Sequence, residues 1–220
     1  MAHFEKYHPL LSAHYQLDWP TLFRLKDVHA LRADATQAAL SGRALDATIE
    51  DTARYVNQSM QLVMGDRSLL YGIGDRATGA FCGSICLWQF DAEKTEAQLR
   101  FEVLERTPAA VMAEVLPRVA GFAFFELGLK RLRVVLPPET AAAQSVLPPE
   151  TAAAEPAATN AAATTADQTA TEPEATTPAD LPAANAAARA LLAANHFVAV
   201  DATTLVLTRD TVADDPAFRF

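Results

Sequence analysis

The stretch Glu96–Arg133, EAQLRFEVLERTPAAVMAEVLPRVAGFAFFELGLKRLR, organises the rest of the chain. Ala97, Leu99, Phe101 and Val103 alternate with Glu96, Gln98, Arg100 and Glu102, the period-two pattern of a strand with one buried face. Thr107-Pro108 reads as a helix start, with Thr107 as N-cap and Pro108 in the first helical position, where a missing N–H costs nothing. The apolar run that follows predicts a helix from Pro108 to about Leu127, stopped by a left-handed Gly128. Pro117 removes one hydrogen bond inside it, at about 3 kcal/mol, and predicts a kink. A strand running straight into a helix N-terminus aims free backbone N–H groups at one spot, an arrangement that holds phosphates.

The chain has 220 residues, enough for one domain of ordinary size with an appendage. No apolar run reaches the ~20 residues of a membrane span, and MAHFEKYHPLL lacks a basic-then-apolar leader pattern. A cytoplasmic protein is the expectation. The net charge of −9 comes from one region. Between Arg133 and Arg189 there is no Lys or Arg but there are seven acids, and outside that region 18 basic residues face 20 acidic ones. No basic patch supports nucleic-acid binding. Cys82 and Cys86, four apart in one predicted strand, fall on one face about 13 Å apart, too far for a disulfide. No second Cys or His pair completes a metal site, so no metal is expected.

Outward from the central stretch, His14–Asp18 reads as a first strand, and Leu22, Leu25, Val28 and Leu31 space a first helix to about Ala33. A polar, Ala-rich passage follows. Thr48 and Asp51 form a capping box with the shorter acid, and Ala53, Val56, Met60 and Val63 stripe a second helix. Ser68–Gly74 and Ala80–Phe90 make a hairpin around DRATG, and Thr95–Leu104 completes an antiparallel meander. Arg131–Leu136 is a further strand. VLPPETAAA then occurs twice, at Val135–Ala143 and Val146–Ala154, and opens an Ala/Thr/Pro/Glu tract. With little to bury, residues 137–182 are expected to be a disordered acidic insert. Asn185–Asn195 is a last helix, and Phe197–Thr208 holds the closing strand.

The order β-α-α-β-β-β-α-β-(insert)-α-β resembles the GNAT acyltransferases. Four segments are similar to the branch containing ribosomal-protein N-terminal acetyltransferases: Gly83–Phe90 (GSICLWQF), Leu99–Glu102 (LRFE), Phe122–Arg131 (FAFFELGLKR) and Asn185–Phe197 (NAAARALLAANHF). The likeness covers about residues 4–136 and 183–208. It implies an α+β GNAT fold, a mixed, mostly antiparallel central sheet flanked by helices, with the low-complexity insert before the last helix. One domain would comprise 1–136 plus 183–220.

The resemblance further implies acetyl-CoA as co-substrate, held where strands 96–104 and 131–136 splay. Backbone of Val103 and Leu104 would pair with the pantetheine. Arg106, Thr107, Ala109, Ala110, Val111 and Asn185 complete the implied cofactor-binding set, and Glu102 is the candidate catalytic base. The strand pattern by itself equally allows Glu102 to be an outward carboxylate in solvent. The family's Arg/Gln-x-x-Gly-x-Gly/Ala phosphate loop is replaced by Glu105–Ala110 (ERTPAA), without glycine and with an acid beside the phosphates, so weaker cofactor binding is expected. Ala188 stands where that family's serine would protonate the departing thiolate, and His196, in place of a glycine, reads as a helix-capping residue. The function implied is transfer of acetyl to an amine, either a small molecule or a protein N-terminus, by direct attack. The alternative is a catalytically impaired GNAT-fold protein that binds a ligand or partner. A homodimer is a further expectation.

Overall fold

The structure, a computed structural model, describes residues 3–138 and 178–219. Eight strands form one sheet: β1 (Leu10–Leu11), β2 (Tyr15–Asp18), β3 (Leu69–Asp75), β4 (Phe81–Trp88), β5 (Glu96–Val103), β6 (Arg131–Val135), β7 (Val198–Ala199) and β8 (Thr204–Thr208). Their spatial order is β1-β2-β3-β4-β5-β6-β8-β7. Every neighbouring pair is antiparallel except β5 and β6, which are parallel. The helices are α1 (Leu25–Arg32), α2 (Ala35–Ser41), α3 (Ile49–Met64), α4 (Ala109–Phe125) and α5 (Leu181–Ala194). The expected meander is β3-β4-β5, and the mixed, mostly antiparallel sheet is as the resemblance implied.

Alternation in β5 sends Ala97, Leu99 and Phe101 into one core with Val115, Leu116, Val119 and Phe122 of α4. The opposite face carries Gln98, Arg100 and Glu102 towards α1 and α3, where Val28, Leu31 and Val56 pack on Phe81. The Thr48–Asp51 capping box at the start of α3 is present. Several boundaries move. Leu22 lies in a 3₁₀ turn before α1 and is 66% exposed, so it is no part of that helix's apolar stripe. α5 begins at Leu181, two residues before the predicted domain boundary. Apart from 137, 138 and 178–182, the predicted insert lies outside the described residues. The α4 helix continues through Pro117, and Gly128 adopts φ +81° just beyond its end.

The two cysteines do not share a face. A register shift sets Gly83 opposite Ile73 but Phe81 opposite Gly74, leaving Cys82 as the extra residue of a bulge. Phe81 therefore turns to α1 and Cys82 to the α4 core, while Cys86 stays opposite Arg100 on the other face. Both cysteines are buried and neither is in a disulfide.

The C-terminal 3₁₀ turn Pro216–Phe218 tucks against α4, with the Phe218 ring 2% exposed. A Cβ added at Gly121 would overlap the Phe218 carbonyl oxygen, a backbone atom with nowhere to go. Gly121→Val is expected to lose about 1–3 kcal/mol by overpacking, read by urea unfolding. Wild-type stability would show that this terminal turn is not docked in solution.

Candidate functional site

β5 and β6 pair only at their start. Glu96 opposes Arg131, Ala97 opposes Leu132 and Gln98 opposes Arg133, and there the ladder stops. From Val134 onward β6 continues with β8 alone, so the two parallel strands part beyond Gln98. The chain leaves β5 through Leu104 and a turn at Glu105–Thr107, and α4 starts at once. The expected splay beside a helix N-terminus is thus present.

The helix start is built differently from the sequence reading. Pro108 is the N-cap, and α4 spans Ala109–Phe125 rather than Pro108–Leu127. Thr107 does not cap it. Its hydroxyl donates to the Cys82 carbonyl at 2.6 Å, and its N–H donates to Leu104 O at 2.8 Å, so the turn is stitched back onto β4. The Leu104 N–H goes to the same Cys82 carbonyl at 3.0 Å. The Val111 N–H reaches Pro108 O at 3.0 Å. Ala109 and Ala110 are exposed, and their first-turn N–H groups lack intrahelical acceptors. Arg106 is exposed beside them.

The gap itself holds α2, which the sequence reading passed over as a polar stretch. The signals were present: Asp34 accepts from Gln37 N–H as N-cap, and Gly42 closes the helix at φ +62°. Gln37 Oε1 accepts the Val103 N–H at 3.2 Å. Leu40 and Ser41 line the space between β5 (Gln98–Phe101) and β6 (Val134, Val135) with Leu136, leaving a cavity of only ≈10 Å³. That is about one water molecule. The Ser41 hydroxyl is buried there without a partner.

Arg43, one residue past Gly42, reaches Glu102. Its Nε lies 2.9 and 3.0 Å from the two carboxylate oxygens, and one terminal nitrogen lies 2.7 Å from Oε2. The remaining N–H groups donate to the carbonyls of Arg32, Ala44 and Leu31. All five guanidinium donors are thereby used. The side chains are 6% and 3% exposed, so Glu102 is a buried, doubly bonded ion-pair partner and not an outward carboxylate in solvent. Alongside, Arg32 makes a second two-bond pair with Asp46 at 3.0 and 2.9 Å, and its guanidinium stacks 3.6 Å from the Tyr55 ring centre. Asp46 also accepts from the Thr52 hydroxyl, which meets His29 Nδ1. Burial in this layer pushes the Tyr55 phenol above its ordinary pKa.

Across the gap, at the end of β6, Asn185 is 5% exposed and donates from Nδ2 to Pro137 O at 2.9 Å. Arg189 holds the same carbonyl at 2.9 Å, the Ala202 carbonyl at 2.6 Å, and Asn185 Oδ1 at 3.3 Å. Asn185 therefore braces the far wall instead of presenting its amide to the gap. Ala188 is buried and offers no proton. His196 takes the left-handed position after α5 (φ +64°), its N–H donating to Ala193 O and its Nε2 meeting Asp215 at 3.0 Å. It is a helix terminator, as expected.

The geometry fits a nucleotide cofactor at one end and not at the other. The exposed α4 N-terminus and Arg106 suit phosphates. The gap where the resemblance implies the pantetheine is filled by α2, and the Val103 N–H expected to pair with the cofactor is already bonded to Gln37. Among the described residues no cluster of His, Cys, Asp and Glu suits a metal ion, and no helix is long and apolar enough to cross a membrane.

No protein-family model matches this chain, and no curated protein matches its sequence. Solved structures do. FdhC in its apo form, described as a nucleotide-linked sugar GNAT, superposes with a TM-score of 0.60 over 94% of this chain and 94% of its own, at 7% identity. Ribosomal-protein-S5-alanine acetyltransferase from Vibrio fischeri superposes with a TM-score of 0.56 over 92% and 97%, at 11% identity. At such identities the likeness is one of backbone architecture, and that architecture is the fold of the GNAT acetyltransferases.

Proposed function

We propose that this chain is an N-acetyltransferase that moves an acetyl group from acetyl-CoA to an amine, either a small molecule or a protein N-terminus. The observation that carries the reading is the parting of β5 from β6 directly beside the exposed N-terminus of α4. Acetyl-CoA supplies an acyl group already activated as a thioester. The first-turn N–H groups of Ala109 and Ala110, with Arg106, bind its phosphates. Its pantetheine arm enters only when α2 gives up the gap and Gln37 releases the Val103 N–H. Withdrawal of α2 also draws Arg43 off Glu102, leaving Arg100 at 3.9 Å beside it. That carboxylate then takes the proton of an amine whose nitrogen attacks the thioester carbonyl. The C–S bond breaks, and CoA departs as a thiolate protonated by water. Residues 1–136 and 183–220 act as a single acyltransferase domain, and 137–182 as a tethered acidic insert.

Calorimetry with acetyl-CoA tests this, followed by a thiol-release assay over polyamines and short peptides. Dissociation in the micromolar-to-millimolar range with thiol release supports the reading. No heat at millimolar acetyl-CoA would overturn it. Gln37→Ala removes one competing hydrogen bond, a net effect of about 1 kcal/mol, so acetyl-CoA should bind about five-fold tighter to that variant. Equal or weaker binding would mean that Gln37 does not compete with the cofactor.

One set of contacts favours a second reading. With Glu102 locked to Arg43 and Ala188 in place of a proton donor, the fold suits a binding protein without turnover. Cofactor binding without thiol release from any amine would select it.

A further inference from the structure

A cavity of ≈320 Å³ lies at the other end of the sheet from the α4 N-terminus. β5 runs from one region to the other, about 23 Å at strand rise. Three irregular segments build it: the N-terminal 3₁₀ turn with Phe4 and Tyr7, the β4–β5 connection from Phe90 to Lys94, and the chain just past α4. Phe4 and Phe90 form one wall, ring centres 5.1 Å apart, and Leu127 and Leu129 line the other side with Tyr7. The volume matches a small organic molecule, and the lining is mostly apolar, as ligand sites are.

The polar groups at its rim are unequally committed. The Lys94 ammonium already donates to Asp66 O at 3.2 Å and sits 4.8 Å from the Phe4 ring centre. Glu126 is 49% exposed, 3.7 Å from Arg118, and Glu93 is exposed and also lines the cavity. The cavity also faces the carboxyl end of α4, whose last carbonyls carry partial negative charge. Aromatic faces beneath negative groups attract cations. Lys6, 4.9 Å from the Tyr7 ring centre, and Lys94 over Phe4 show two of the lining rings in that use within the chain itself.

We infer that this cavity binds an organic ammonium with an apolar or aromatic body, its hydrocarbon part among Phe4, Tyr7, Phe90 and Leu129 and its charge between Glu93 and Glu126. This site is separate from the proposed acetyl-transfer cleft and does not depend on cofactor binding.

Amide-shift mapping of the full-length chain with 2-phenylethylamine tests it, with 3-phenylpropionate as the anion of matching shape. The amine should shift residues 90–94 and 126–129, and bind about tenfold tighter than the acid at low ionic strength. Glu93→Gln with Glu126→Gln should weaken the amine by about three-fold for each exposed carboxylate and leave the acid's binding unweakened. Phe90→Ala should weaken both. Equal binding of amine and acid, shifts confined to other residues, or no shift at millimolar amine would each overturn the inference. The readout uses no acetyl-CoA, so failure here leaves the transferase reading standing, and the reverse also holds.

Discussion

Replacement of Arg43 by leucine should cost about 3–5 kcal/mol, the typical loss when one partner of a buried ion pair is removed. Glu102 would remain 3% exposed, with Arg100 Nε at 3.9 Å as the cation left beside its carboxylate. The carbonyls of Leu31, Arg32 and Ala44 would lose a donor as well. For a chain of this size that is a fall in melting temperature of about 10 °C. The double variant Arg43→Leu with Glu102→Leu should recover part of the loss, because it removes the buried carboxylate. It still leaves the three carbonyls without their donor and takes the carboxylate away from Arg100. Urea unfolding of the two single variants and the double variant measures the coupling. Additive losses would show that the two side chains do not depend on one another. A large coupling has a functional corollary: an acyltransferase that uses Glu102 as a base must first break this pair, so turnover would be limited by an opening step.

The second large effect concerns the phosphates. Arg106→Glu should raise the acetyl-CoA dissociation constant by about 30-fold, the equivalent of about 2 kcal/mol for one charge-assisted contact. Thermal stability should hardly change, since Arg106 is exposed. Wild-type affinity should also fall with added salt, and less so in the variant, because the contact is screened. An unchanged constant would remove the α4 N-terminus from the cofactor's path. Thr107→Val should behave in the opposite way, disturbing stability more than binding, because its hydroxyl is tied to Cys82 O.

Much of the architecture was legible because its causes are local. Alternation in Glu96–Val103 needs no partner to be read, nor does the Thr48–Asp51 box. The stop at Gly128 is equally local. Even α2 was readable in this sense: Asp34 opens it and Gly42 closes it. The errors in the candidate site share a different character. Thr107 looked like a cap because Thr-Pro is a good local start, but a carbonyl 25 residues away took its hydroxyl. Cys82 and Cys86 looked coplanar until a bulge against β3 turned one of them over. Asn185 matched a cofactor-binding position by motif, yet it is spent on Pro137 O, 48 residues upstream.

Sequence alone determined that a strand ends where a long apolar helix begins; that this junction lies in a sheet of the GNAT type was implied by the family resemblance and carried by the backbone architecture. Backbone propensity and side-chain periodicity act over a few residues, so they survive in the unaligned string. Whether the gap beside that junction stands open was decided only by tertiary structure. Gln37 meets Val103 across 66 residues and Arg43 meets Glu102 across 59. Hydrogen bonds and buried charges are satisfied by whatever group the fold brings near, and no local pattern announces which group that will be.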